Sequence, residues 1–365
     1  MESVSKGTIL YYGGFILPDQ NAAANRVRAS GLIFKEMGFD VVFLGVSASE
    51  TTSGISPVPE MQNAFQISHP SSALDWLKRI WKPSELLKLA ESITDLCMII
   101  LYNVPYSTVA FVKKWYRNTQ VKVVYDCTEW SDYTDGSFLK KAYKKFDCYY
   151  IENQLANAVD GIIAVSKMMK KKYEKKSPTV ILPPLVDLSD AIWHQQKYHD
   201  ESYTFCFSGL PDGNKENIDN IIRAFKSLNI PNTKLKMVGI NSTDVICSDS
   251  DGIEFLGIVS HAESIKNILS CDCFIFLRPN DKRNNAGFPT KFAEAYTCGV
   301  PIITTKISDM PDYESNSVIC CDDCNVGTIK QAMTKIYSLK HDQQLSAAFD
   351  YHSYEEQICN WIKEI

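Results

Sequence analysis

The feature that most limits what this chain can fold into is a series of short, nearly continuous apolar runs, each followed by a helix-length segment. In the first half the runs are TILYY (residues 8–12), DVVFLG (40–45), LCMIILY (96–102), VKVVYD (121–126), GIIAV (161–165) and TVILP (179–183). Strands that are apolar throughout, rather than at alternate positions, are buried on both faces, and the helices between them supply the cover. The pattern predicts a parallel sheet in an α/β layer arrangement. It begins as a βαβ unit, in which Gly13 and Gly14 end the first strand and a helix over 22–37 stops at Gly38. The polar stretch 47–70 reads as a long loop or insertion.

After a polar segment at 187–202 the same grammar restarts. Runs at 203–209, 234–239, 253–257, 272–277 and 301–305 alternate with helical segments near 217–228, 261–270 and 289–298. The chain therefore divides into residues 1–186, a linker at 187–202, and residues 203–352. The amphipathic end, 353–365, is placed back on the first domain. Two doubly wound domains would turn strand carboxyl ends and helix N-termini toward a central cleft, where such sheets bind ligands.

At 365 residues the chain is long enough for two cores. The opening MESVSKG has no apolar core of a signal peptide, and no apolar run is long enough to span a bilayer. A cytoplasmic protein is expected. The twelve cysteines form no paired spacing frame, so reduced buried thiols are expected. CCDDC at 320–324 resembles half a metal site but lacks a second half, and no metal is assigned. Lys and Arg against Asp and Glu number 22 to 18 over residues 1–185 and 16 to 25 over the remainder. The first half is the side that meets anionic partners more easily, with an anionic membrane surface as the candidate and no nucleic acid expected. Its lysines lie among aromatic and leucine residues in WLKRIWKPSELLKL (76–89), KKAYKKF (140–146) and SKMMKKKYEKK (166–176). A solvated helix face is the alternative reading of all three.

One stretch, GFPTKFAEAYTCGVPIITT (287–305), concentrates the chemistry. Pro289 suits a first helical position, Gly299 a left-handed stop, and the β-branched run after Pro301 a buried strand. Thr290 and Glu294, four apart, share a face near the helix start. Glu294 there either complements the helix dipole or serves a ligand.

Taken in order, these motifs resemble glycosyltransferase family 4. The parts that match are the glycine turn at Gly13 and Gly14, DGIIAVSKMM at 160–169, FSGLPDGNK at 207–215, and the glycine–phenylalanine turn with its glutamate helix at 287–305. The resemblance implies a GT-B fold, two facing Rossmann-like domains. It also implies sugar transfer from a nucleotide donor, a UDP- or GDP-sugar, to a hydroxyl acceptor, retaining and without metal or other cofactor. The acceptor it implies is a glycan or lipid-linked glycan in polysaccharide assembly. The chain departs from the family at Leu210, where an arginine is common, and at Ala286, where an earlier glutamate is common.

A departing nucleoside diphosphate needs fixed positive charge. Lys215 is the first candidate, and Arg278 the replacement for the missing arginine, because a guanidinium grips phosphate oxygens with two parallel bonds. Lys291 and Thr290 would stand over the phosphates. Glu294 would accept from the ribose, and the backbone at Gly209, Gly287 and Phe288 would line the donor, with Gly13 and Gly14 adding N–H groups from the first domain. Glu129 is expected to orient a hydroxyl, with Asp126, Asn25 and Arg26 on the acceptor side. Two other functions fit the same plan, a sugar-nucleotide epimerase and a catalytically silent nucleotide-binding scaffold.

Overall fold

The structure is a computed structural model describing residues 5–48, 54–68, 70, 72–130, 138–198, 201–210, 217–245, 251–339 and 341–365. The chain forms two compact units: Met1–Val186 with Tyr351–Ile365, and Asp187–Asp350.

The first unit holds β1 (Thr8–Gly13), α1 (Ala22–Glu36), β2 (Asp40–Val46), β3 (Ile55–Pro57), β4 (Ala64–Ile67), α2 (Ala73–Trp81), α3 (Ser84–Ser92), β5 (Leu96–Tyr102), α4 (Tyr106–Tyr116), β6 (Lys122–Cys127), α5 (Phe138–Ala158), β7 (Gly161–Ala164), α6 (Lys167–Tyr173) and β8 (Thr179–Ile181). Its sheet runs β3-β4-β2-β1-β5-β6-β7-β8. Every pairing is parallel except β3 with β4. The stretch read as a loop thus supplies two edge strands. They are short and polar on one face, which hid them from a search for continuous apolar runs. Ile9, Tyr11, Val41, Phe43, Ile100 and Val124 build the core against Val27, Ile33 and Phe34 of α1.

The second unit holds β9 (Tyr203–Ser208), α7 (Ile218–Lys226), β10 (Thr233–Val238), β11 (Ile253–Gly257), α8 (His261–Leu269), β12 (Cys273–Ile275), α9 (Lys282–Ala286), α10 (Thr290–Thr297), β13 (Ile302–Thr305), β14 (Val318–Cys321) and α11 (Val326–Tyr337). Its six strands run β11-β10-β9-β12-β13-β14, all parallel. This is the doubly wound order in which the strand order reverses between the first and fourth strands, here β9 and β12. Segment 187–198, expected as linker, belongs to this unit and buries Trp193. Cys320 and Cys321, weighed as metal ligands, are buried side chains of β14.

The last helix, α12 (Glu355–Ile362), lies on the first unit's core through Ile358 and Trp361. Its indole N–H donates to the Pro178 carbonyl at 3.1 Å. Gly161 makes room for it, since a β-carbon there would stand 2.7 Å from Ile365 and 2.8 Å from Trp361. In the second unit, Gly299 ends α10 at φ +68°, and a β-carbon would lie 1.8 Å from the Gln344 carbonyl. Both backbone angle and space demand glycine there. Pro289 sits one position before the predicted place, as the N-cap of an eight-residue helix.

Candidate active site

At the reversal point of the second sheet, the carboxyl ends of β9 and β12 carry Phe207 and Phe276. Lys291, on the first turn of α10, places its ammonium 5.3 Å from the centre of the Phe207 ring and 5.8 Å from that of Phe276. The Arg278 guanidinium lies 4.9 Å from the centre of the same Phe276 ring. An aromatic face attracts cations, so Phe276 gathers two like charges at the strand ends that would otherwise separate. The Arg278 backbone is fixed across the sheet: its N–H donates to Thr305 Oγ1 at 3.1 Å, and the Thr305 hydroxyl donates back to its carbonyl at 2.7 Å.

One turn beyond Lys291, Glu294 Oε1 lies 2.9 Å from His261 Nε2, at the first residue of α8. The pair is partly buried, 27% exposed for His261 and 12% for Glu294. Ser208, ending β9, shares a 2.7 Å hydrogen bond with Ser264, one turn along from His261. Sequence reasoning missed His261, Ser208 and Ser264. The signal that could have found His261 is its place just after the Ser260 N-cap, at a helix start.

Around these groups the strand ends are bare. Gly209 follows β9, and Gly239, at φ +86°, packs so closely that a β-carbon would stand 2.3 Å from the Gly209 carbonyl. Gly239 N–H donates to the Gly257 carbonyl at 2.7 Å. Three neighbouring strands thus end in glycines, leaving backbone where a ligand can approach.

The glycine–phenylalanine turn differs from the expectation in detail. Gly287 is extended, with φ −77° and ψ 174°, and its carbonyl accepts from the Ser308 hydroxyl. The Phe288 side chain is buried in an aromatic cluster with Phe292, Tyr313 and Phe349, so only its backbone remains for a ligand. Thr290 is half-buried at the helix start. Ala286, where the resembled family carries a glutamate, is fully buried. Lys215 lies outside the described residues.

In the first unit, Gly13 ends β1 against β5, where a β-carbon would meet the Tyr102 carbonyl at 2.6 Å, whereas one on Gly14 would meet open space. Close strand approach explains Gly13, and Gly14 keeps a ligand role open. Asn21, which sequence reasoning passed over, braces this turn: its side-chain oxygen accepts from Ile16 N–H at 3.2 Å and Ala24 N–H at 2.9 Å. Asn25 is half-buried in the first turn of α1.

Arg26 and Asp126, expected on the acceptor side, are turned inward onto each other. Arg26 Nη2 donates to Asp126 Oδ1 at 2.8 Å, and Tyr11 donates to Asp126 Oδ2 at 2.5 Å; all three side chains are almost wholly buried. Burial works against the Arg26 charge, and the Asp126 carboxylate outweighs it, holding the guanidinium above its ordinary pKa. Burial, then the neighbouring carboxylate, pushes the Tyr11 hydroxyl well up. Glu129 is exposed beyond β6 and lines a small open pocket with Asn103, Trp130, Asp147 and Glu152.

Residues 191–356 match the family model described as glycosyl transferases group 1. The match lies in the second unit and the end of the chain. No curated protein matches its sequence. Solved structures share its fold at low identity. The Anabaena protein Alr3699/HepE, in complex with UDP and glucose, superposes with a TM-score of 0.65 at 12% identity, covering 98% of this chain and 100% of that one. Trehalose 6-phosphate synthase from Burkholderia multivorans gives 0.61 at 9% over 99% and 94%. UDP-GlcNAc 2-epimerase from Methanocaldococcus jannaschii gives 0.58 at 10% over 98% and 99%. The fold is GT-B, common to these transferases and epimerases, and the match to the glycosyl transferases group 1 model is what supports a glycosyltransferase.

Proposed function

We propose that the protein, as a member of glycosyltransferase family 4, moves a sugar from a UDP- or GDP-sugar to a hydroxyl of a glycan or glycolipid acceptor. The reaction retains anomeric configuration and needs no metal. It serves polysaccharide assembly at the inner face of the cell membrane. The observation that carries the reading is the pair of cations, Arg278 and Lys291, on one Phe276 ring at the sheet's reversal point. A nucleoside diphosphate leaves as an anion, and preorganised cations lower the barrier to its departure. Glu294, one turn deeper and braced by His261, would accept from the ribose hydroxyls. Lys215 would add a third charge, and backbone at Gly209, Gly287 and Phe288 would line the donor. Gly14, with Gly13, would offer N–H groups from the first unit, where Glu129 would orient the acceptor hydroxyl and Asn25 border it.

A panel of nucleotide sugars tests this by thermal shift and by acceptor-dependent nucleotide release. Release only with acceptor, undiminished by chelator, and a product of unchanged anomeric configuration are expected. Donor epimerisation without acceptor would replace the reading with an epimerase, and binding without turnover on any acceptor with a silent scaffold.

A further inference from the structure

Among the described residues, five that are not glycine have a positive φ, and four of these are asparagines. Ser308, at φ +50°, is the exception. Asparagine enters the left-handed region because its short amide bonds locally, and glycine because it has no β-carbon. Serine has neither advantage, so its surroundings must hold it there. Ser308 is half-buried in the turn that leaves β13.

Both polar groups of Ser308 reach the segment that joins β12 to α10. Its N–H donates to Asn285 Oδ1 at 2.9 Å, and its hydroxyl donates to the Gly287 carbonyl. Asn285 is fixed in turn, because its amide donates to Asn280 Oδ1 at 2.7 Å and to the Asp281 carbonyl at 2.7 Å. Asn280 closes the ring by donating to the Lys306 carbonyl at 3.0 Å. The turns after two adjacent strands are thus stitched together by side chains, and Ser308 is the stitch that ends on Gly287.

That bond fixes the peptide group between Gly287 and Phe288. In a trans peptide the carbonyl and the N–H point in opposite directions, so tying the carbonyl to Ser308 turns the Phe288 N–H away from it. Among the described residues this N–H donates to none. It comes just before Pro289, the N-cap of α10, which gives the helix start no side-chain hydrogen bond. Lys291 follows on the first turn, its charge held at the Phe207 and Phe276 rings. An N–H beside a cation and a helix start favours a negatively charged ligand.

We propose that Ser308 is a positioning residue of the donor site: by holding the Gly287 carbonyl it presents the Phe288 N–H to the donor diphosphate. The proposal rests on the transferase reading, which sets the diphosphate at Arg278 and Lys291. Ser308 acts through Gly287 and touches no part of the donor itself. Its backbone angle separates this role from a plain turn. A residue needed only to turn the chain at φ +50° is best replaced by glycine, which adopts the angle freely but brings no hydroxyl.

The test is calorimetric titration of UDP and of GDP into the full chain as wild type, Ser308→Gly and Ser308→Ala, each with a melting curve taken without ligand. Ser308→Gly removes the hydroxyl and relaxes the backbone; Ser308→Ala removes the hydroxyl and keeps the strain. Ser308→Gly should therefore melt above Ser308→Ala. Both should bind the diphosphate that wild type binds about tenfold or more weakly, the worth of one hydrogen bond to a charged group. A shared loss of affinity at two different stabilities assigns the effect to the hydroxyl. If Ser308→Ala does not fold, Ser308→Gly decides alone. Wild-type affinity in Ser308→Gly overturns the proposal and leaves Ser308 a turn residue. No binding of either diphosphate by wild type overturns the transferase reading itself, and the proposal with it.

Discussion

His261 and Glu294, 33 positions apart in sequence, meet at 2.9 Å where the N-terminal turns of α8 and α10 converge. The contact ties a carboxylate to a second helix, so Glu294 is not only a partner of its own helix dipole. A group fixed in this way is preorganised to accept from a ligand. Glu294→Gln should retain near-native melting and weaken nucleoside diphosphate binding by about 1.5 to 3 kcal/mol, the worth of lost charged hydrogen bonds. Calorimetric titration beside melting curves measures both. Loss of a few tenths to about 1 kcal/mol of stability with unchanged affinity would mark a dipole role instead.

Arg278 and Lys291 stand at one aromatic ring, and neither replaces the other because each is anchored to a different element. Arg278→Ala and Lys291→Ala should each lower turnover by about a hundredfold or more, the scale of losing one preorganised charge contact. Lys215→Ala should do the same if the diphosphate reaches that segment. Steady-state rates with the best donor of the panel decide. Full activity in Arg278→Ala would pass the role to Arg283, which is exposed in the following helix.

The sheets were readable because buried parallel strands are apolar at every position, and Leu96–Tyr102 matches its predicted run residue for residue. β14 was hidden by its own cysteines, which drew attention as ligands although VICC is an ordinary buried strand. The candidate site was readable where local grammar makes it, at the start of α10, and illegible where it depends on tertiary partners. Nothing near His261 points to Glu294. Asp126 shows the converse. A carboxylate at a strand's carboxyl end reads as facing a ligand, yet its partners, Tyr11 and Arg26, are about a hundred residues away in sequence and close in space. Only the register of β1, β5 and β6 brings them together.

That buried triad should carry stability. Asp126→Asn leaves the Arg26 guanidinium enclosed without its counter-charge, and breaking a buried pair in this way costs about 3 to 5 kcal/mol. Denaturant unfolding of the variant should show a loss of that size, whereas Glu129→Gln, at an exposed position, should stay within about 0.5 kcal/mol. Equal stability of Asp126→Asn and wild type would mean that the pair does not hold α1 to β6.

Asp147 makes folding depend on pH. Burial pushes its carboxyl up to about 6, against the pull of the Tyr106 N–H that it accepts at 2.7 Å. A folded-state pKa above the unfolded one means that the folded chain binds the proton more tightly, so ionising Asp147 costs folding free energy. The cost is absent below the unfolded carboxylate value near pH 4, grows between about 4 and 6, and is complete above 6. Asp147→Asn keeps an oxygen for the Tyr106 N–H and removes the charge. It should therefore be more stable than wild type at about pH 8, by up to roughly 3 kcal/mol for a shift of about two units, and nearly equal at about pH 4. Urea unfolding of both proteins at the two pH values measures the difference. A variant less stable than wild type at the higher pH would show that the ionised carboxylate is held by a partner rather than merely buried.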